Sequence, residues 1–173
     1  PDVSYRAFLE AFDPPRTYWA TPDGLEVAGV GAAARLTGSG PDRFETIREG
    51  AGELFSSVDA EGPPEARPRA FGGVAFHETH EPSPPWEDFA AAEFVVPRAQ
   101  IVRSDGETHL TVTGTGDPGA VAEDLDRVAE AVADRAAMRP SGGPPGVTAR
   151  RRLTSREEWI DGVERILSRI DAG

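Results

Sequence analysis

The sequence predicts an α+β (α/β) fold in which helices flank an antiparallel sheet. Three observations lead there. Two β-rich runs, Glu93 to Arg103 and Thr108 to Thr115, are joined by Ser104-Asp105-Gly106-Glu107, a strong hairpin signal. Apolar residues recur at helical spacing in four other stretches. The elements run hairpin, helix, strand, hairpin, helix, strand, helix, without the strict strand–helix alternation of a doubly wound sheet.

From the amino end, Tyr5, Phe8, Leu9 and Phe12 predict a short amphipathic helix over 3–12, stopped by Pro14-Pro15. Thr17 to Ala20 reads as a strand, Pro22-Asp23-Gly24 as a turn, and Leu25 to Leu36 as a second strand completing a hairpin. Pro41 suits the first turn of a helix over 41–57, because its fixed φ is already helical. Phe44, Ile47, Ala51, Leu54 and Phe55 form one apolar face of that helix, expected to pack on the sheet. Residues 59–69 form a polar, proline-rich loop, Ala70 to Phe76 a buried strand, and 77–88 a further loop. Pro97, inside the run 93–103, implies an edge position or a bulge. Val121, Leu125, Val128 and Val132 predict a helix over 118–137 with acidic residues outward. Val147 to Leu153 reads as a short strand, and Ser155 with Glu158 as a capping box. The helix behind it is expected to bury Trp159, Val163, Ile166, Leu167 and Ile170. The chain therefore divides into an α+β portion over 1–138, a Pro/Gly linker over 139–146 and a strand–helix tail over 147–173.

Composition excludes several chemistries. Of 173 residues, 30 are acidic and 18 basic, a net charge of −12, and all the basic ones are arginine. Without lysine there is no phosphate-loop lysine, Schiff base or lysine general base. Without cysteine there is no disulfide, thiolate nucleophile or zinc ribbon. The negative field argues against a nucleic-acid partner or an anionic membrane. No apolar run reaches the length of a membrane span and no signal-peptide pattern opens the chain, so a soluble, cytoplasmic protein is expected. An acidic, lysine-free, alanine-rich composition resembles that of proteins from salt-loving archaea, although a high-GC genome gives the same bias. Pro1 and Gly173 both read as cut points rather than natural ends.

Candidate sites are few. His77-Glu78-Thr79-His80-Glu81 is the densest set of possible metal ligands, but two histidines three apart in an acidic loop lack the zincin spacing and need ligands from elsewhere. A solvated loop is the simpler reading. Gly29-Val30-Gly31 lies within an apparent strand and no helix follows, so close backbone packing explains it better than a dinucleotide fingerprint. Gly38-Ser39-Gly40 before the 41–57 helix reads as a turn before it reads as an anion site. No Gly-x-Ser-x-Gly elbow is present. The residues alone thus assign no catalytic, cofactor-binding or metal site.

A family resemblance goes further. Tyr18-Trp19, the Pro22-Asp23-Gly24 turn and Val27 to Ala32 resemble the opening hairpin of isochorismate synthases. Phe44 to Phe55 is similar to their first long helix, and Phe71-Gly-Gly-Val-Ala-Phe76 to their Gly-Gly-x-Ala-Phe strand. Trp86-x-x-Phe89 with Phe94-Val-Val-Pro97-Arg98 resembles their Trp-x-x-Phe and Phe-x-x-Pro-Arg element. Trp159 to Gly173 looks like the helix that precedes their catalytic half.

The resemblance implies the N-terminal half of a chorismate-utilising-enzyme fold, with a β-sandwich core wrapped by helices. It implies a magnesium-dependent conversion of chorismate to isochorismate in menaquinone or siderophore biosynthesis. A lysine base activates water there, a glutamate acts as general acid, and further glutamates hold the metal. This chain has no lysine and no positions matching those ligands, so no catalytic residue carries over. It is expected to be structural, to bind no magnesium itself, and to meet chorismate only through a C-terminal catalytic half, its expected partner. The alternatives are an aminodeoxychorismate, salicylate or anthranilate synthase, though the Leu-Leu-Glu-Ser segment of the last is missing. A stand-alone acidic binding domain, with or without a metal at His77 and His80, is a further alternative.

Overall fold

In the computed structural model, residues 4–79, 83–84, 86–137, 146, 149 and 151–173 are described. They divide between two compact units, Pro1–Arg139 and Pro140–Gly173. The first is a mixed α+β body with antiparallel sheets and flanking helices. Its elements are α1 (Tyr5–Ala11), β1 (Arg16–Ala20), β2 (Glu26–Val30), β3 (Ala34–Gly38), α2 (Arg43–Ser56), a 3-10 turn at Pro64–Ala66, β4 (Phe71–Val74), β5 (Ala92–Val96), β6 (Ala99–Ser104), β7 (Glu107–Val112) and α3 (Pro118–Ala137).

The strands form two sheets, ordered β1-β2-β6-β7 and β3-β5-β4, with every pair antiparallel. This corrects the reading of 25–36 and 93–103 as single strands. Each run breaks and passes from one sheet to the other. The first breaks at Gly31, whose φ of +65° suits glycine. The second breaks at Pro97-Arg98, so Pro97 marks a crossing and is fully buried. The two crossings pack together, because Pro97 fills the space where a Cβ on Gly29 would stand. The β6–β7 hairpin turns through Asp105 (φ +52°) and Gly106 (φ +80°), the paired positive φ of a tight hairpin turn.

The core lies between the four-stranded sheet and helices α1 and α3. Phe8 from α1, Ala28 and Val30 from β2, Ala99 and Ile101 from β6, and Val128 and Val132 from α3 are buried together. Burying each large side chain contributes about 1.5–3 kcal/mol. Helix α3 starts with Pro118, and the Asp117 carboxylate accepts from the Ala120 N–H at 3.2 Å, which caps the first turn. On the opposite sheet face, Gln100 donates through Nε2 to the carbonyls of Ala66 (3.1 Å) and Arg67 (2.9 Å). The Thr111 hydroxyl donates to the same Ala66 carbonyl at 2.7 Å, so the 59–69 loop is pinned to the sheet.

Helix α2 begins at Arg43 rather than Pro41. The expected apolar face is also rearranged: Phe44 is 59% exposed, while Arg43 is buried. The Arg43 guanidinium donates to the Gly40 (3.0 Å) and Ala75 (3.3 Å) carbonyls and lies 4.6 Å from the centre of the Phe44 ring. The strand read as buried over 70–76 is a short edge strand with Gly72 and Gly73 exposed, and Phe76 is fully exposed.

In the second unit, α4 (Arg156–Asp171) carries the capping box. Ser155 accepts from the Glu158 N–H at 3.2 Å, and Glu158 accepts from the Ser155 N–H at 2.8 Å. Its apolar stripe is not buried: Trp159 (64%), Ile166, Leu167 and Ile170 are all exposed, which corrects that expectation. Of the strand expected over 147–153, Val147, Thr148 and Arg150 lie outside the described residues, and Ala149 and Arg151 to Leu153 join no strand. The linker expected over 139–146 lies outside the described residues except for Gly146.

Candidate functional site

An open groove of about 1040 Å³ lies between the two sheets of the first unit. Leu36 of β3 and Phe94 of β5, neighbours across the ladder, lie on the smaller sheet's side. Ile47, Ala51 and Phe55 recur at helical spacing and bring α2 to the groove. The larger sheet contributes Val27 of β2 and the run Arg16 to Trp19 of β1, with Trp19 57% exposed. The run Pro68 to Gly72 closes the far side.

The charged residues bordering this groove are Arg16, Arg48 and Arg69, in a chain of net charge −12. Arg48 is paired with Glu45 through Nε at 2.9 Å and a second, closer contact, and this guanidinium holds the Glu45 carboxyl below its ordinary pKa. Arg16 and Arg69 differ. Arg16 donates Nε (2.9 Å) and a terminal nitrogen (2.6 Å) to the Phe12 carbonyl. Arg69 donates to the Glu65 (2.7 Å) and Arg67 (3.1 Å) carbonyls. A carbonyl orients a guanidinium without cancelling its charge, so both cations are held in place and remain positive. Apolar walls and fixed cations can bind an apolar body carrying carboxylates. Among the described residues bordering the groove there is no aspartate, glutamate or histidine.

Two polar clusters adjoin it. Arg98, at the second crossing, grips Asp124 of α3 through Nε at 2.8 Å and a second, closer contact, and Arg127 approaches the same carboxylate at 3.1 Å. A cleft of about 350 Å³ nearby is bordered by Glu10, Asp13, Arg16 and Arg98. Two of these charges are paired with residues beyond the cleft's border, Glu10 with Arg6 and Arg135, and Arg98 with Asp124. On the other side, Tyr18 donates to Glu26 at 2.7 Å and Arg103 stacks on Tyr5 with 4.9 Å to the ring centre. Burial pushes the Tyr5 hydroxyl up to about 12. These contacts tie α1 to β1, β2 and β6.

The residues weighed from sequence do not converge. The His77 Nδ1 accepts from the Thr79 N–H at 3.2 Å in an exposed turn, while His80 and Glu81 lie outside the described residues. Among the described residues, no three His, Asp or Glu side chains gather as ligands for a cation. Gly29 packs against Pro97 and Thr17. Gly38 and Gly40 form the turn into α2, where Gly40 O accepts from Arg43. No described helix is long and apolar enough to cross a membrane. Sequence reading missed the groove and its two carbonyl-held arginines, because they come together only when β1 and β4 meet across two sheets. The one signal was arginine at the border of both strand runs.

The family model described as a chorismate binding enzyme matches residues 2–173. No curated protein matches the chain.

Proposed function

We propose, for a chain that belongs to the chorismate-binding enzyme family, the role of a structural portion of an isochorismate synthase, the member of that family whose motifs it resembles. The observation that carries the reading is the conjunction of a family match over residues 2–173 with a complete absence of lysine. The first supports chorismate as the substrate class. The second leaves no residue here to act as the lysine base that the resemblance implies.

The base, the general acid and the magnesium ligands then belong to a catalytic half that packs on this one. The exposed apolar residues Phe76, Trp159 and Ile170 support that partnership, since surface of this kind marks interaction sites. This portion fixes geometry and excludes water, and chorismate meets it only through the catalytic half. A cytoplasmic setting, high internal salt and a place in menaquinone or siderophore synthesis belong to the same reading.

The test is product identity. The native protein containing these residues, given chorismate and magnesium in molar salt, is expected to release isochorismate. An aminated ring would instead assign an aminodeoxychorismate or anthranilate synthase, and salicylate a salicylate synthase. Failure to consume chorismate would favour a binding domain.

A further inference from the structure

We propose that the groove between the two sheets is a strand-acceptor site, which takes an extended protein segment alternating apolar and acidic residues. The inference rests on the fold alone and stands whichever reaction the family member runs.

Successive side chains of a strand point to opposite faces, so a concavity bordered by consecutive residues is reached at a strand's edge. Arg16, Thr17, Tyr18 and Trp19 all border the groove, and so do Phe71 and Gly72. Strand β1 is terminal in its sheet and β4 in the other. Among the described residues, β1 pairs only with β2 and β4 only with β5. Two strand edges with unpaired N–H and C=O groups therefore meet at one apolar groove. Natural proteins usually blunt such edges with inward charges, bulges or a covering element. Here one edge carries exposed Tyr18 and Trp19 and the other exposed Gly72 and Gly73, which leaves backbone open to a partner.

The chemistry of the occupant follows from the border. An added strand gains its affinity from main-chain hydrogen bonds to β1, and its alternate side chains reach the apolar side formed by Leu36 and Phe94. Its remaining side chains point outward, toward Arg16 and Arg69, whose guanidinium groups are anchored by carbonyls and face no carboxylate within ion-pair distance among the described residues. Acidic residues at those positions complete the pairing, and basic ones are repelled.

The experiment uses three capped nine-residue peptides: alternating valine and glutamate, alternating valine and lysine, and the glutamate peptide with alternate backbone nitrogens methylated. Binding to the whole chain is followed by tryptophan fluorescence and by amide hydrogen exchange read residue by residue. The glutamate peptide is expected to protect β1 amides from exchange. The lysine and methylated peptides should bind at least about tenfold more weakly. R16A with R69A should weaken the glutamate peptide by a similar factor, and raised ionic strength should do the same in the unmutated chain, which needs no variant to fold. Equal binding of the methylated peptide would show a groove read by side chains alone and would overturn the proposal. So would equal binding of the lysine peptide, no protection of β1, binding of decanoate where no peptide binds, or β1 protected by a second copy of the chain without peptide.

Discussion

Two adjacent glycines in β4 should respond to the same substitution with opposite signs. An ideal Cβ added at Gly72 would stand 1.9 Å from the Glu93 carbonyl oxygen and 2.6 Å from the Phe94 Cα. Both are backbone atoms of β5, the strand to which β4 is paired. No rotamer change relieves the contact. Ordinary van der Waals separation begins near 3.4 Å, so β4 must move about 1.5 Å from β5. That displacement weakens about two ladder hydrogen bonds, at about 1 kcal/mol each, and adds strain of about 1–3 kcal/mol. G72A should therefore destabilise by about 3–5 kcal/mol and lower Tm by about 10 °C. At Gly73 a Cβ meets nothing within 4 Å, so G73A should be neutral or stabilise by about 0.5 kcal/mol through lost unfolded-state entropy. Urea unfolding followed by circular dichroism measures both. G72A equal to or more stable than G73A would refute the packing of β4 on β5, and with it the smaller sheet's edge of the groove.

Other outcomes follow from single contacts. D124N removes the carboxylate that Arg98 and Arg127 share; because Arg98 is 44% exposed, the cost should be only about 1–2 kcal/mol, read from denaturant midpoints. S155A removes half the capping box of α4 and should cost that helix about 1 kcal/mol, seen as lost helicity in far-UV circular dichroism. The Ser155 N–H holds the Glu158 carboxyl below its ordinary value of 4.5. A carboxylate whose folded pKa is depressed contributes stability that is present above its unfolded pKa and lost as pH falls through the folded one. Helicity of α4 should accordingly fall on acidification below about 4.5, and E158Q should flatten that dependence.

Local signals were legible wherever one element settles its own conformation. The four valines and leucines of α3 fix its face, and Pro118 its start. Ser155 and Glu158 place the start of α4, and Asp105-Gly106 the hairpin turn. What the sequence left open was decided between elements. The runs 25–36 and 93–103 keep strand-forming residues on both sides of Gly31 and Pro97, so nothing local says that the chain changes sheets there. Likewise, the spacing of Trp159, Ile166 and Ile170 defines a face without saying what covers it. Arg43 is buried and Phe44 exposed because three carbonyl and ring contacts hold the guanidinium, which no periodicity rule contains. The groove is a meeting of two edges distant in sequence, and only the fold reveals it.

The central claim is that this chain supports chorismate chemistry without performing it. The direct measurement incubates the 173-residue chain alone with chorismate and magnesium in molar salt and follows isochorismate by chromatography. No turnover above the reaction without protein is expected. Turnover proportional to protein concentration would contradict the claim, since a base other than lysine would then have to lie within these residues.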